Sequence, residues 1–171
     1  DIEMPLIDVL MKMENEGVYV EEDLLNEMSL NIGDRLDLLV KEIYNIAEEE
    51  FNINSTQQLA KILFDDLKLT QIKKRSTAEN VLKELVNEHE LPELILSYRK
   101  LNKLKNTYID ALPASINKNT KRIHSTFNQT IAATGRLSST GPNFQNIPIR
   151  TVDGREIRKS FIAQQKNWGI F

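Results

Sequence analysis

Residues 132–158 gather the side chains best suited to holding a polyanion. The run A-A-T-G-R-L-S-S-T-G-P-N-F-Q-N-I-P-I-R-T-V-D-G-R-E-I-R contains four arginines, Arg136, Arg150, Arg155 and Arg158, and only two acids, Asp153 and Glu156. Between the arginines lie the carboxamides Asn143, Gln145 and Asn146. Guanidinium groups offer planar donor forks to phosphate, and arginines and carboxamides also pair with base edges. Gly135, Gly141, Gly154 and two prolines set turns that a helix interior or central strand would not accept. A polar surface loop built on ordinary turn chemistry has the same composition.

One chemistry suits such donors well. In the minor groove of duplex DNA, A·T and T·A pairs show the same two acceptors, and G·C pairs keep them. A donor such as Arg136 or Gln145 aimed there can test for Watson–Crick shape without reading which pair it meets.

Two extended segments flank this run. Ile123–Ile131 alternates in a β-compatible way and predicts a strand, entered by a turn at residues 118–120; residues 157–163 predict a second. His124, on the first, reads as a packing or solvent-facing residue rather than a catalytic one. Upstream, Pro92 opens a helix whose apolar stripe is Leu94, Tyr98, Leu101, Tyr108 and Leu112. Arg99, Lys103 and Asn106 fall on a neighbouring face, with Lys100, Lys105 and Thr107 close by. A merely solvated helix face shows the same pattern.

The N-terminal half reads as structural. Leu6, Val9, Leu10 and Met13 predict a helix over residues 4–16, closed by Gly17 and followed by an extended Val18–Val20. Apolar residues from Leu25 to Ile46 step by three and four and predict one long helix from Glu21 to about Glu49. Ser55 with Gln58, and Ser76 with Glu79, have capping-box spacing, and a short basic loop spans residues 71–75. His89 reads as a partner for the C-terminal end of the second capped helix.

Composition sets bounds. The 171 residues are 40% hydrophobic and 27% charged, enough for one domain or two small ones. There is no cysteine, and His89 and His124 are far apart, which argues against disulfides and a zinc site. No apolar run approaches the ~20 residues of a membrane helix, so no membrane partner is expected, and the acidic first ten residues do not resemble a secretory leader. The net charge of −3 hides a strong asymmetry. Residues 1–50 carry 3 basic and 15 acidic side chains, residues 51–95 carry 6 and 7, and residues 96–171 carry 13 and 3. A basic half of this kind suits a polyanion partner.

Several motifs together resemble a known family. T-G-R-L-S-S, P-N-x-Q-N-I-P-x-R and G-R-x-I-R-x-x-F follow one another, without gaps, as at the start of the palm in family A DNA polymerases, the bacterial DNA polymerase I type. Y-R-x-L-x-K-L-K-x-T-Y-x-D-x-L-P resembles the family's helix from thumb towards palm. P-L-I-D-V-L-x-x-M-E-x-x-G-V, F-N-I-N-S-T-Q-Q-L and S-T-A-E-N-V-L resemble its lead-in and thumb. The segment Lys73–Ser76 departs from it, because many members carry a longer Gly/Pro-rich loop there.

The resemblance implies a mainly α fold with a small antiparallel β part. Residues 1–112 would be a helical lead-in and thumb, and 113–171 the start of the palm, cut before the catalytic aspartate motif. It implies template-directed DNA synthesis in the bacterial cytoplasm, with primer–template DNA and dNTPs as partners and two Mg²⁺ ions as cofactors. Arg136, with Asn143, Gln145 and Asn146, would meet the primer terminus in the minor groove. Arg99, Lys103, Lys105 and Thr107 would meet the duplex backbone, and Arg150 a phosphate near the active site. Arg155 and Arg158 are left to structural or solvent-facing roles.

Catalytic and metal-binding residues are not expected in this segment. Beyond residue 95 the acids are Asp110, Asp153 and Glu156, with Asp153 read as a turn residue in V-D-G-R. The resemblance puts the first metal-binding aspartate past Phe171, so the segment alone is expected to be inactive. A non-catalytic duplex-binding module and a helical scaffold with a solvated basic face are the rival readings. The apolar stretch Trp168–Phe171 is expected to act as a strand-like edge that promotes dimers.

Overall fold

The computed structural model describes residues 3–163. The chain is mainly helical with a two-stranded antiparallel sheet. Those described residues up to Leu30 and from Leu104 onward form one compact unit, and Asn31–Lys103 form the other.

In the second unit, the long helix α2 (Glu22–Ala47) contributes Ile43 to a core shared with α3 (Thr56–Lys61), α4 (Glu79–Leu85) and α5 (Leu91–Leu104). Leu59, Leu63, Leu82, Leu85, Leu91 and Ile95 are fully buried there. The expected cap at Ser55 forms: its Oγ accepts from Gln58 N at 3.3 Å. The Gln58 side chain reaches past Ser55 to accept from Asn52 N at 2.6 Å, tying down the entering loop. A π-helical turn, Ile62–Asp66, extends α3 and buries Ile62, Leu63 and Phe64 together.

Two local readings change here. The expected box at Ser76 and Glu79 is replaced by an N-cap at Ala78 that has no side-chain bond. Ser76 sits two residues too early and spends its hydroxyl on Ala78 N, 3.3 Å away, so it shapes the turn before the helix. His89 serves the start of α5 instead of the end of α4, its Nδ1 accepting from Leu91 N at 3.1 Å. Helix α4 has already ended four residues earlier, at Leu85, so its last carbonyls are not the groups within reach.

In the first unit, α1 (Glu3–Glu16) ends at Gly17, whose φ of +68° is easy only for glycine. The extended Val18–Val20 segment forms isolated antiparallel bridges from Val18 to Ile123 and from Val20 to Phe161. His124 is structural, with Nδ1 2.8 Å from Glu14 O and Nε2 2.7 Å from Thr120 Oγ1. The turn before it is held by Asn117 Oδ1, which accepts from the backbone N–H groups of Asn119 and Thr120.

Both predicted strands are corrected. Within residues 123–131 only β1 (Thr126–Asn128) joins a ladder, pairing with β2 (Ser138–Thr140) in the register Thr126↔Thr140 to Asn128↔Ser138. Residues 157–163 are not a strand. Val152–Lys159 form a helix, and Phe161 alone makes a bridge. Thr151 Oγ1 caps Gly154 N at 3.1 Å, Asp153 lies in the favourable first turn, and Arg158 and Lys159 lie in the last. Asp153 is thus a helix N-terminal acid and not a turn residue. This helix is α7, after a short α6 (Ala111–Ala114). The stretch Trp168–Phe171, on which the expected dimer depends, lies outside the described residues.

Candidate nucleic-acid interface

The nine residues between β1 and β2 form the hairpin loop that carries Arg136. Gly135, at φ +72°, turns the chain just before the arginine, and its N–H donates to Ala132 O at 3.0 Å. A side-chain carbon at Gly135 would meet nothing within 4 Å, so the backbone conformation alone calls for glycine. Arg136 is exposed. After β2 the chain turns again through Gly141 and Pro142 beneath the buried Ser125, whose Oγ lies 2.7 Å from Pro142 O and 3.0 Å from Thr140 O.

The carboxamides follow on a braced turn. Asn143 Oδ1 accepts from Gln145 N at 3.0 Å, a local closure typical of asparagine. Ser139, fully buried under the turn, accepts from Phe144 N at 3.0 Å and donates to Asn143 Oδ1 at 3.4 Å. The Phe144 ring meets Phe161 edge-on, with centroids 5.6 Å apart. The Tyr108 hydroxyl donates to Asn146 O at 2.6 Å, and Arg158 donates to Ile147 O at 3.3 Å. The backbone is therefore held at several successive residues while the side chains of Asn143, Gln145 and Asn146 stay exposed. Ser139→Ala removes the acceptor for Phe144 N. It is expected to cost about 1–1.5 kcal/mol, read as a lower urea midpoint with unchanged m-value.

Helix α7 locks the far side of this turn. A Cβ on Gly154 would overlap Pro148 O and lie 2.8 Å from Pro148 Cβ, so only glycine lets the helix approach the Pro148 backbone this closely. Arg150 is exposed, and its carbonyl accepts from Arg155 at 3.5 Å.

The basic residues near α5 have distinct surroundings. Arg99 donates to Thr77 O at 2.5 Å and to Thr77 Oγ1 at 3.4 Å, and its partial burial lowers its pKa from the usual arginine value. Lys100 and Lys103 are exposed. In the same unit, Arg75 clasps both carboxylate oxygens of Asp65, at 2.5 and 2.7 Å, and that hydrogen bonding holds the Asp65 carboxyl below its ordinary pKa. An open cleft of about 820 Å³ runs between Arg75 and Arg99, with Asn54, Gln57, Ser76 and Thr77 on its walls.

Lys105 lies past the end of α5, in a second π-helical turn, Lys105–Ile109. Its ammonium donates to Ser29 Oγ at 2.5 Å and to both Asp110 oxygens at 3.0 and 3.1 Å. Thr107, in the same turn, is exposed. The structure thus brings Asn143, Gln145 and Asn146 onto one turn and sets Arg136 on the adjoining hairpin. Arg99 and Lys103 belong to the other compact unit. Ser139, Tyr108 and Ser29 were not legible as site residues. Tyr108 is visible only as a hydroxyl-bearing member of an apolar stripe, and Ser139 only as the last residue of T-G-R-L-S-S.

The acids of this segment do not fit a two-metal site. Asp110 is held by Lys105 and Ser29, and Glu156 pairs with Lys159 at 2.6 Å. Among the described residues no three histidine, cysteine, aspartate or glutamate side chains cluster to hold a metal ion, and no helix is long and apolar enough to cross a membrane.

Comparison with known proteins agrees with the geometry. Residues 22–171 match the family model described as DNA polymerase family A. The chain is 48% identical to DNA polymerase I of Pseudomonas aeruginosa over 171 residues, covering 96% of this chain and 19% of that protein. It is 43% identical to DNA polymerase I of Geobacillus stearothermophilus, covering all of this chain and 20% of that protein. A solved structure of the POL domain of Pol1 from M. smegmatis, in complex with DNA primer-template and dNTP, superposes with a TM-score of 0.86 at 38% identity, over 94% of this chain and 29% of that one. The chain thus spans about a fifth of the length of the curated relatives it matches. With the family model matching nearly the whole chain, and the fold shared with a solved polymerase domain, the chain belongs to DNA polymerase family A.

Proposed function

We propose that this segment grips primer–template DNA for a parent enzyme that carries out template-directed DNA synthesis. The observation that carries this reading is the turn bearing Asn143, Gln145 and Asn146. Its backbone is anchored by Ser139, Tyr108 and Arg158 while its carboxamides are exposed beside the hairpin of Arg136. A preformed array of donors spends little conformational entropy on binding and can select for base-pair geometry. The M. smegmatis relative, solved with DNA primer-template and dNTP, supports the choice of partners.

In this reading Arg136, Gln145, Asn146 and the Asn143 amide face the minor groove at the primer terminus. Arg99, Lys103 and Thr107 meet backbone phosphates, and Arg150 meets a phosphate nearer the reaction. Lys105 reaches a phosphate only by releasing Asp110, so Lys103 is the clearer backbone contact. The names lead-in and thumb for residues 1–112, and palm entrance for 113–171, belong to this proposal. The compact units cut the chain elsewhere because the lead-in packs with the C-terminal part through Val18, Val20 and Glu14. The two Mg²⁺ ions of nucleotidyl transfer would be held by carboxylates outside the described residues, and the bacterial relatives support a cytoplasmic setting.

A salt titration tests the reading. Lys103→Ala in the parent enzyme is expected to weaken primer–template binding and to lower the slope of log K against log salt by about 1, equally for all sequences. An unchanged slope would remove Lys103 from the DNA-facing surface.

A further inference from the structure

Tyr108 is a buried residue that hydrogen-bonds the carboxamide turn. Its hydroxyl donates to Asn146 O at 2.6 Å, at the peptide just beyond the two exposed side chains of Gln145 and Asn146. Burial raises the pKa of the phenol. The residue reaches this place through the π-helical turn Lys105–Ile109. Relative to an α-helix, one extra residue in a turn rotates the next residues of the helix by roughly 100°. The turn is fastened at both ends: Lys105 is held by Ser29 and Asp110, Asp110 N returns to Lys105 O at 2.9 Å, and Ile109 is fully buried. A costly irregularity, closed by its own ion pair, delivers one hydroxyl to one carbonyl.

We propose that Tyr108 is a positioning residue for the primer terminus, acting through the Asn146 carbonyl to fix the aim of the Gln145 and Asn146 carboxamides. This rests on the minor-groove role given to that turn above. Tyr108 itself is buried and does not touch DNA. Its effect falls on how well a correct pair is told from a wrong one, because selection depends on the fixed direction of those donors.

The test is Tyr108→Phe in the parent enzyme, which keeps the ring and removes only the hydroxyl. Single-turnover extension of a matched primer is expected to slow about 3- to 10-fold, with the Kd for primer–template within about twofold of the unmodified enzyme. The ratio of matched to mismatched extension rates should fall by a similar factor, which a simple loss of folded enzyme would not change. A matched rate within twofold, or a loss confined to reaction amplitude with the ratio intact, would overturn the proposal. Arg136→Ala, run alongside, separates the possible failures. If it is slow while Tyr108→Phe is fast, the positioning role falls alone. If both are fast, the primer-terminus reading falls with it.

Discussion

Arg136→Ala in the parent enzyme is expected to slow primer extension by roughly 10- to 150-fold, the loss of about 1.5–3 kcal/mol from a charged hydrogen bond made in the transition state. The Kd for primer–template should change far less. Arg136 is exposed on a hairpin loop whose turn is set by Gly135, so removing the guanidinium leaves the fold intact. In the proposed reading, backbone contacts elsewhere carry most of the affinity, which is electrostatic and independent of sequence. A single minor-groove donor at the primer end adds little to that total and much to alignment. Rapid-quench kinetics on a matched primer, paired with a binding titration at the same salt, measure the two quantities. Equal losses in rate and binding would reassign Arg136 to general affinity. Arg136→Lys should recover only part of the rate, because an ammonium keeps the charge but not the planar fork.

Helical periodicity was the most legible part of the fold. The stepping of Leu25, Ile32, Leu36 and Ile43 marked α2 to within two residues at either end, and all four are buried. The Ser55 cap was equally visible, since serine and glutamine at that spacing have a local function that needs no tertiary partner. Legibility ended where tertiary contacts decide. Ile157 alternates with polar neighbours as readily in a strand as in a single helical turn, and the Thr151 cap with the close approach at Gly154 settles the matter for α7. Neither π-helical turn is visible in the sequence, because the extra residue leaves the apolar stripe nearly unbroken.

The site divides along the same line. Arg136, Asn143, Gln145 and Asn146 stood out by residue type in a glycine- and proline-rich run. Their supports did not, because a serine under a turn or a tyrosine on an apolar stripe is read first as packing. Lys105 shows the opposite case. It carries the same charge as Lys103, two residues earlier, yet Asp110, five residues on, and Ser29, distant in sequence, engage it. Charge along a helix face reports what a residue can do, and only the neighbours report what it is already doing.

Gly154→Ala sets two effects of opposite sign against each other. Alanine is the better helix former by about 0.8–1 kcal/mol in a helix interior, and glycine-to-alanine changes at compatible sites also stabilise by restricting the unfolded chain. Gly154 has the third position of α7, where that gain is reduced, and its φ is not one that demands glycine. Against this, the new methyl would overlap Pro148 O and lie 2.9 Å from Pro148 C, and backbone atoms cannot swing aside as a long side chain can. Overpacking of this kind costs about 3 kcal/mol or slightly more, so the net expectation is a loss of about 2 kcal/mol. It should appear as a lower urea midpoint with an unchanged m-value. The strain is relieved by moving Pro148 away from α7, which pulls on Ile147 and Asn146 and loosens the carboxamide turn. Extension should therefore slow along with the fall in stability, and the matched-to-mismatched ratio should drop as it does for Tyr108→Phe. A variant as stable as the original would mean that α7 and the Pro148 backbone are not in close contact, and the bracing of the turn from that side would have to be abandoned.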